Sequence, residues 1–273
     1  MKLSRGLLLV GLAFLYVPLL ILIIYSFNES RLVTVWSEFS VKWYVELFKD
    51  EQLMNAFFLS IRIACLTAFM SVVLGTVAAY VLVKFGRFPS QTLFSSMIIA
   101  PLVMPEVITG LSLLLLFVGL SQLIGWPTSR GATTIWIAHV TFCVAFVTIV
   151  ITSRLREMDG SLEEAAMDLG ATPLRVFFVI TMPLITPALI SGWLLAFTLS
   201  LDDLVIASFV SGPGASTLPM VIYSSVRLGV SPKVNALATI FLGVVLIGSF
   251  ATWWSINQWT RYSSKQSFDS NPP

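Results

Sequence analysis

The sequence predicts an all-α, polytopic membrane protein with six transmembrane helices, and three observations carry that prediction. Hydrophobic residues make up 57% of the 273 and charged residues only 11%, whereas soluble domains carry about 25% charged residues. The apolar residues gather into six runs, at 6–27, 56–83, 93–120, 133–153, 184–210 and 236–259, each near the length of about 20 residues that a helix needs to cross a bilayer. None of these runs alternates evenly between apolar and polar residues, the pattern that a membrane β-barrel would show.

The first run follows the basic start Met1-Lys2-Leu3-Ser4-Arg5. It is longer than the core of a signal peptide and no small-x-small cleavage site follows it, so it reads as a retained signal anchor and first span. The segment 28–55 holds Trp36, Trp43, Tyr44 and the acids Glu29, Glu38, Glu46, Asp50 and Glu51. Within it, 42–53 reads as a short interfacial helix with Trp43, Leu47 and Phe48 toward lipid, in the manner of an aromatic belt; docking of an external protein is the alternative. The second run contains Arg62, and the third contains Pro101, Pro105, Glu106 and Gly110. Residues 211–219 form a turn-rich loop, and 263–273 a polar tail. The whole chain, 1–273, reads as a single transmembrane domain.

Lysine and arginine near the ends of spans set the orientation. With the N-terminus inside, nine basic residues are cytoplasmic: Lys2, Arg5, Lys84, Arg87, Arg154, Arg156, Arg175, Arg261 and Lys265. Six lie outside: Arg31, Lys42, Lys49, Arg130, Arg227 and Lys233. The bias places both termini in the cytoplasm, together with residues 154–183.

Several function classes are excluded. A net charge of +2 with no basic patch offers nothing to nucleic acid. Cys65 and Cys143 lie inside apolar runs, without disulfide or zinc spacing. His139 is the only histidine; it has no second member for a metal site and reads as a hydrogen bonder between helices. No phosphate-binding loop of the Gly-x4-Gly-Lys-Ser/Thr type is present. No catalytic residue, metal or cofactor is therefore expected.

Residues 154–183 interrupt the apolar chain with a pattern of their own. Ser161-Leu162-Glu163-Glu164 fits a capping box with Ser161 as N-cap and Glu164 reaching back. Leu162, Ala165, Ala166 and Leu169 then share one helical face, and Gly170 is placed for a left-handed stop. Thr172-Pro173 restarts a helix, with proline at its first position. A short amphipathic helix with small residues, held outside the bilayer, fits a groove on a partner protein.

Ionisable residues inside spans are functional candidates. At a rise of about 1.5 Å per residue, Asp202 lies roughly 27 Å from the cytoplasmic end of the fifth span and Glu106 roughly 20 Å along the third. Glu106, Asp202 and Asp203 thus fall in the outer half of the membrane, where carboxylates suit a cationic substrate. Ser191, Leu195, Thr198, Asp202 and Phe209 share a partly polar face suited to a pathway. Gly192, Ala196, Leu199, Asp203 and Ala207 share a small, apolar one suited to packing. Asp202 is expected to face the pathway and Asp203 a neighbouring helix or subunit. Trp193, Phe197 and Phe209 offer cation–π contacts or ordinary packing. Arg62, at a similar depth, is a rival partner for one of the acids.

These residues carry a resemblance. Glu164-Ala165-Ala166, then Gly170, Ile180 and Pro183 resemble the cytoplasmic loop of binding-protein-dependent ABC importer permeases, with Met182 where that pattern has leucine. The stretches 100–110, 135–142 and 200–209 resemble polyamine permeases, above all the second permease subunit of putrescine importers. The resemblance covers nearly the full length. It implies the type I ABC importer permease fold in the bacterial inner membrane, with no enzymatic activity in the chain itself. It further implies three partners: a cytoplasmic ATPase dimer, a second homologous permease and a periplasmic polyamine-binding protein. Glu163, Glu164, Ala165, Ala166, Asp168 and Gly170 would couple to the ATPase; Asp202, Asp203, Glu106, Thr198 and Trp193 would line the substrate pathway. A permease for another small substrate remains an alternative, although oxyanions would want basic residues instead. A secondary transporter or channel would not need the cytoplasmic helix. An aspartyl protease is disfavoured, because adjacent aspartates on a helix diverge by about 100°.

Overall fold

The computed structural model describes residues 2–31, 35–86, 88–228 and 231–247. Its elements in order are α1 (Lys2–Ser26), α2 (Lys42–Phe48), α3 (Glu51–Lys84), α4 (Gln91–Val103), α5 (Glu106–Ile124), α6 (Ala132–Glu157), α7 (Ser161–Asp168), α8 (Pro173–Val176), α9 (Met182–Asp202), α10 (Val205–Val210) and α11 (Leu218–Leu228), followed by α12 (Pro232–Ile247). The only β pairing among the described residues is an isolated bridge between Asn28 and Phe39. The all-α expectation holds.

Among the described residues, five runs are long and apolar enough to span a bilayer: Gly6–Ser26, Glu51–Lys84, Glu106–Ile124, Ala132–Glu157 and Pro173–Asp202. The expected third span is two helices rather than one. Pro105 has no N–H and disfavours helical geometry at the residue before it; Met104 is extended, with ψ 136°, and α5 starts afresh at Glu106. The fifth span also differs from expectation. It begins earlier, at Pro173, and its first turns pass through a π-helical segment, Phe177–Thr181, where the Met182 N–H bonds the Phe177 carbonyl. Pro183 removes the N–H that would have reached Val179, and the wider turn accommodates the missing bond. At its other end α9 stops at Asp202, Asp203 is extended with ψ 124°, and α10 resumes at Val205. Of the expected sixth span, α12 is the described part. Residues 248–259, the tail 263–273, Arg87, Arg261 and Lys265 lie outside the described residues.

The chain forms two compact units. In the unit of residues 55–223, α6 is the central helix: Ile135, Ala138, Cys143, Val147 and Ile151 are fully enclosed. A Cβ on Gly75 of α3 would lie 2.9 Å from the Val147 Cγ1, and one on Gly192 of α9 would lie 3.2 Å from it. Glycine on both sides of Val147 lets the three helices approach closely. Such small-residue contacts gain by dispersion, because lipid tails are as apolar as the helices themselves. Cys65 and Cys143 are free thiols.

The second unit comprises the described residues of 1–54 and 224–273. Asn28 organises it: its Oδ1 accepts the Ser37 N–H at 2.9 Å, its Nδ2 donates to the Val35 carbonyl at 2.7 Å, and its carbonyl accepts the Trp43 Nε1–H at 2.6 Å. The short helix expected over 42–53 is present as α2, but its orientation is not the lipid-facing one expected. Trp43 and Leu47 are only 3% and 1% exposed, because the indole N–H finds its partner inside the protein. Phe48 alone of the three is exposed. Asp50 pairs with Lys233 at 3.0 Å.

Candidate functional site: the loop helix and the broken spans

The loop after α6 opens differently from a capping box. Gly160 already has helical geometry and accepts the Glu163 and Glu164 N–H groups, both at 3.1 Å. Ser161 therefore lies within the first turn, where its hydroxyl cannot cap. Asp159 does that work: its Oδ1 accepts the Ser161 N–H at 3.0 Å, a bond that holds its carboxyl below the usual aspartate value. The end of α7 follows expectation. Gly170 takes φ +85°, its N–H bonds the Met167 carbonyl and the Ala171 N–H bonds the Ala166 carbonyl. These two bonds are a Schellman motif. Pro173 then opens α8 behind Thr172.

The side chains of this loop sort into two sets. Leu162, Glu164, Ala165, Asp168 and Leu169 are exposed and Ala166 is half-buried, so most of the apolar face expected on α7 is open. Leu169 is 90% exposed and Leu174 of α8 72%. Glu163 is the one buried residue of α7. Its Oε2 lies 2.5 Å from the Lys84 Nζ at the end of α3, and its Oε1 accepts the Thr181 hydroxyl at 2.6 Å. Burial opposes the charged form, but the hydrogen bonds from Lys84 and Thr181 and the Lys84 charge outweigh it, so Glu163 titrates below the ordinary glutamate. Nothing in the sequence pointed to this trio; Lys84 had marked only the inner end of a span.

The three membrane acids lie at the two helix breaks. Glu106 is exposed in the first turn of α5. Gly110, one turn on, packs against α10 so closely that a Cβ there would lie 2.8 Å from the Phe209 ring. Asp202 is the last residue of α9 and is exposed. Asp203 is buried and fully engaged. Its carboxylate accepts the Ile206 N–H at 3.3 Å and the Ala207 N–H at 2.7 Å, capping α10, and its Oδ2 lies 3.1 Å from the His139 Nε2. The other ring nitrogen of His139 lies 2.7 Å from the Ser200 hydroxyl. His139 thus ties α6 to the last turn of α9 and to the break that follows it, as a hydrogen bonder between helices would. Among the described residues no ion pair joins Arg62 to any of the three acids.

Two candidate pathway residues of α9 differ in setting. Thr198 is exposed and its hydroxyl returns to the Leu194 carbonyl. Trp193 is half-buried; one ring face stacks on Phe197 at 5.3 Å and Phe69 meets it edge-on. Although the sequence faces were drawn on an unbroken helix, Gly192, Ala196, Asp203 and Ala207 are buried, and Ser191, Thr198 and Asp202 are exposed.

Residues 71–256 match the family model described as binding-protein-dependent transport system inner membrane component. The chain is 66% identical over 247 residues to the putrescine transport system permease protein PotI of Escherichia coli K12, covering 90% of this chain and 88% of that protein. It is 40% identical over 235 residues to the spermidine/putrescine transport system permease protein PotC of the same strain, covering 86% of each. Among solved structures, a bacterial ABC transporter involved in the import of the acidic polysaccharide alginate matches with a TM-score of 0.69 at 18% identity, covering 94% of this chain and 95% of that one. The MetNI methionine ABC transporter matches with a TM-score of 0.60 at 15% identity, covering 76% and 95%. These structures share the fold, that of ABC importer permeases. The chain belongs to the family of binding-protein-dependent transport system inner membrane components.

Proposed function

We propose that the chain is a permease subunit of an ATP-driven polyamine importer for putrescine or spermidine, forming half of the translocation pathway. Both termini lie in the cytoplasm, a second homologous permease completes the pathway, and a periplasmic polyamine-binding protein delivers the cargo. A cytoplasmic ATPase dimer receives α7. The open apolar face of α7, with Leu162, Ala165 and Leu169 exposed, supports docking of a partner on the loop.

The observation that carries the cargo assignment is the exposed carboxylate of Asp202 at the broken end of α9, in a chain whose relatives are named for putrescine and spermidine. Helix C-termini carry partial negative charge, and both α4 and α9 end at breaks within the membrane. Those carbonyl ends, with Asp202 and Glu106, favour an extended cation with two or more amines. Thr198 lies on the same exposed side. Asp203 and Trp193 contribute from behind, Asp203 by fixing the break and Trp193 as part of the wall.

The test is reconstitution with the second permease, the ATPase and the binding protein in proteoliposomes. ATP-dependent uptake of labelled putrescine or spermidine, with no uptake of sulfate, is expected. Uptake without ATP, or of sulfate in preference, overturns the assignment.

A further inference from the structure

Glu163 contacts α3 and the start of the fifth span at once, one carboxylate oxygen to each. Lys84 is the last residue of α3, a helix of 34 residues, and Thr181 is the last residue of the π-helical segment, immediately before α9. The remainder of α7 is largely exposed, so this charged contact is its one buried side-chain anchor among the described residues. The partners are 79 and 18 residues away in sequence, so only the tertiary fold assembles them.

We propose that Glu163 is a positioning residue that latches α7 to the second and fifth spans, so that a displacement of α7 is carried into both. The proposal rests on the reading of α7 as the ATPase-docking helix. Its logic is mechanical. A helix docked outward through Leu162 and Leu169 transmits nothing to the membrane unless its inner side is fixed. A partly buried ion pair is suited to that task, because sliding one partner away leaves a charge without its partner, an unfavourable state. An apolar contact would tolerate slippage. The grip also falls on the π-helical turn, where i→i+5 bonding marks a locally altered helix, so the pull on Thr181 acts at the entrance to the fifth span. Glu163 lies beside Glu164 in sequence but about 100° from it around the helix: Glu164 is exposed, Glu163 is bound within the chain.

The test uses the reconstituted importer with Glu163→Gln, Lys84→Met and the swap Lys84→Glu with Glu163→Lys. Three quantities are read: ATPase retained on the purified complex, hydrolysis stimulated by loaded binding protein, and putrescine imported per ATP hydrolysed. The single variants are expected to retain the ATPase while ATP hydrolysed per putrescine rises at least about fivefold, the lower end of ordinary coupling between sites; the swap is expected to restore the ratio. A wild-type ratio in Glu163→Gln overturns the latch. Loss of the ATPase from Glu163→Gln that the swap does not restore also overturns it, and assigns Glu163 to docking. Failure of the unmodified chain to retain the ATPase sinks the docking assignment for α7 instead, so the two failures are distinct.

Discussion

The His139 Nε2 lies 3.1 Å from the Asp203 Oδ2, and this contact separates the roles of two adjacent aspartates. Asp203 is bound on three sides, by the His139 ring and by the N–H groups of Ile206 and Ala207. Asp202, its neighbour, is left facing outward at the end of α9. One acid builds the break; the other is presented by it.

Removal of Asp203 is therefore expected to cost stability. Asp203→Ala deletes a helix cap, worth about 0.5–2 kcal/mol, and leaves His139 without its acidic partner, about 1–3 kcal/mol more for a buried polar group. Asp202→Asn, on an exposed position, is expected to stay within about 0.5 kcal/mol of the parent. Thermal unfolding of the detergent-purified chain compares the two directly. Equal transition temperatures for both variants would contradict the division of roles.

Leu169 is 90% exposed at the end of α7. Leu169→Asp is expected to leave the stability of the permease within about 0.5 kcal/mol, as surface changes do, while reducing co-purification of the ATPase. Co-purification at the parent level would show that this face is not the docked one.

The Glu163 pair gives a pH dependence with a definite sign. Its folded carboxyl titrates below the ordinary glutamate value of 4.5, so the Lys84–Glu163 contact contributes fully above pH 4.5 and is lost as pH falls through the lower folded value. Proteolysis of the loop 154–183 in inside-out vesicles, with an acid-active protease, is expected to be flat from neutral pH down to that point and to rise below it. Glu163→Gln is expected to show no such rise. A rise that begins well above pH 4.5, or one that persists in Glu163→Gln, would contradict the assignment.

Much of the fold was legible because its signals are local. Run lengths of apolar residues gave the passes, Pro105 is a readable obstacle to a continuous third span, and the Gly170 stop and Pro173 restart followed from backbone chemistry. The break after Asp202 was not legible: no proline or glycine marks it. It depends on the Asp203 carboxylate taking up the N–H groups of α10 and on His139 from α6, 64 residues away. The inward turn of Glu163 was hidden for the same reason. A helical wheel of α7 gives its polar and apolar faces, but cannot show that Lys84 waits under one of the glutamates. Trp43 likewise carried the composition of a lipid anchor, and only the Asn28 carbonyl explains why it is buried.

The most direct measurement is ATP-dependent putrescine uptake by the reconstituted importer carrying Asp202→Asn, with the affinity of the binding protein and ATPase retention measured alongside. If Asp202 receives the cation, uptake is expected to fall about tenfold or more, the loss of one hydrogen bond to a charged group, with affinity and retention unchanged. Uptake and substrate-stimulated ATP hydrolysis equal to those of the parent would contradict a pathway built on the outer-half acids.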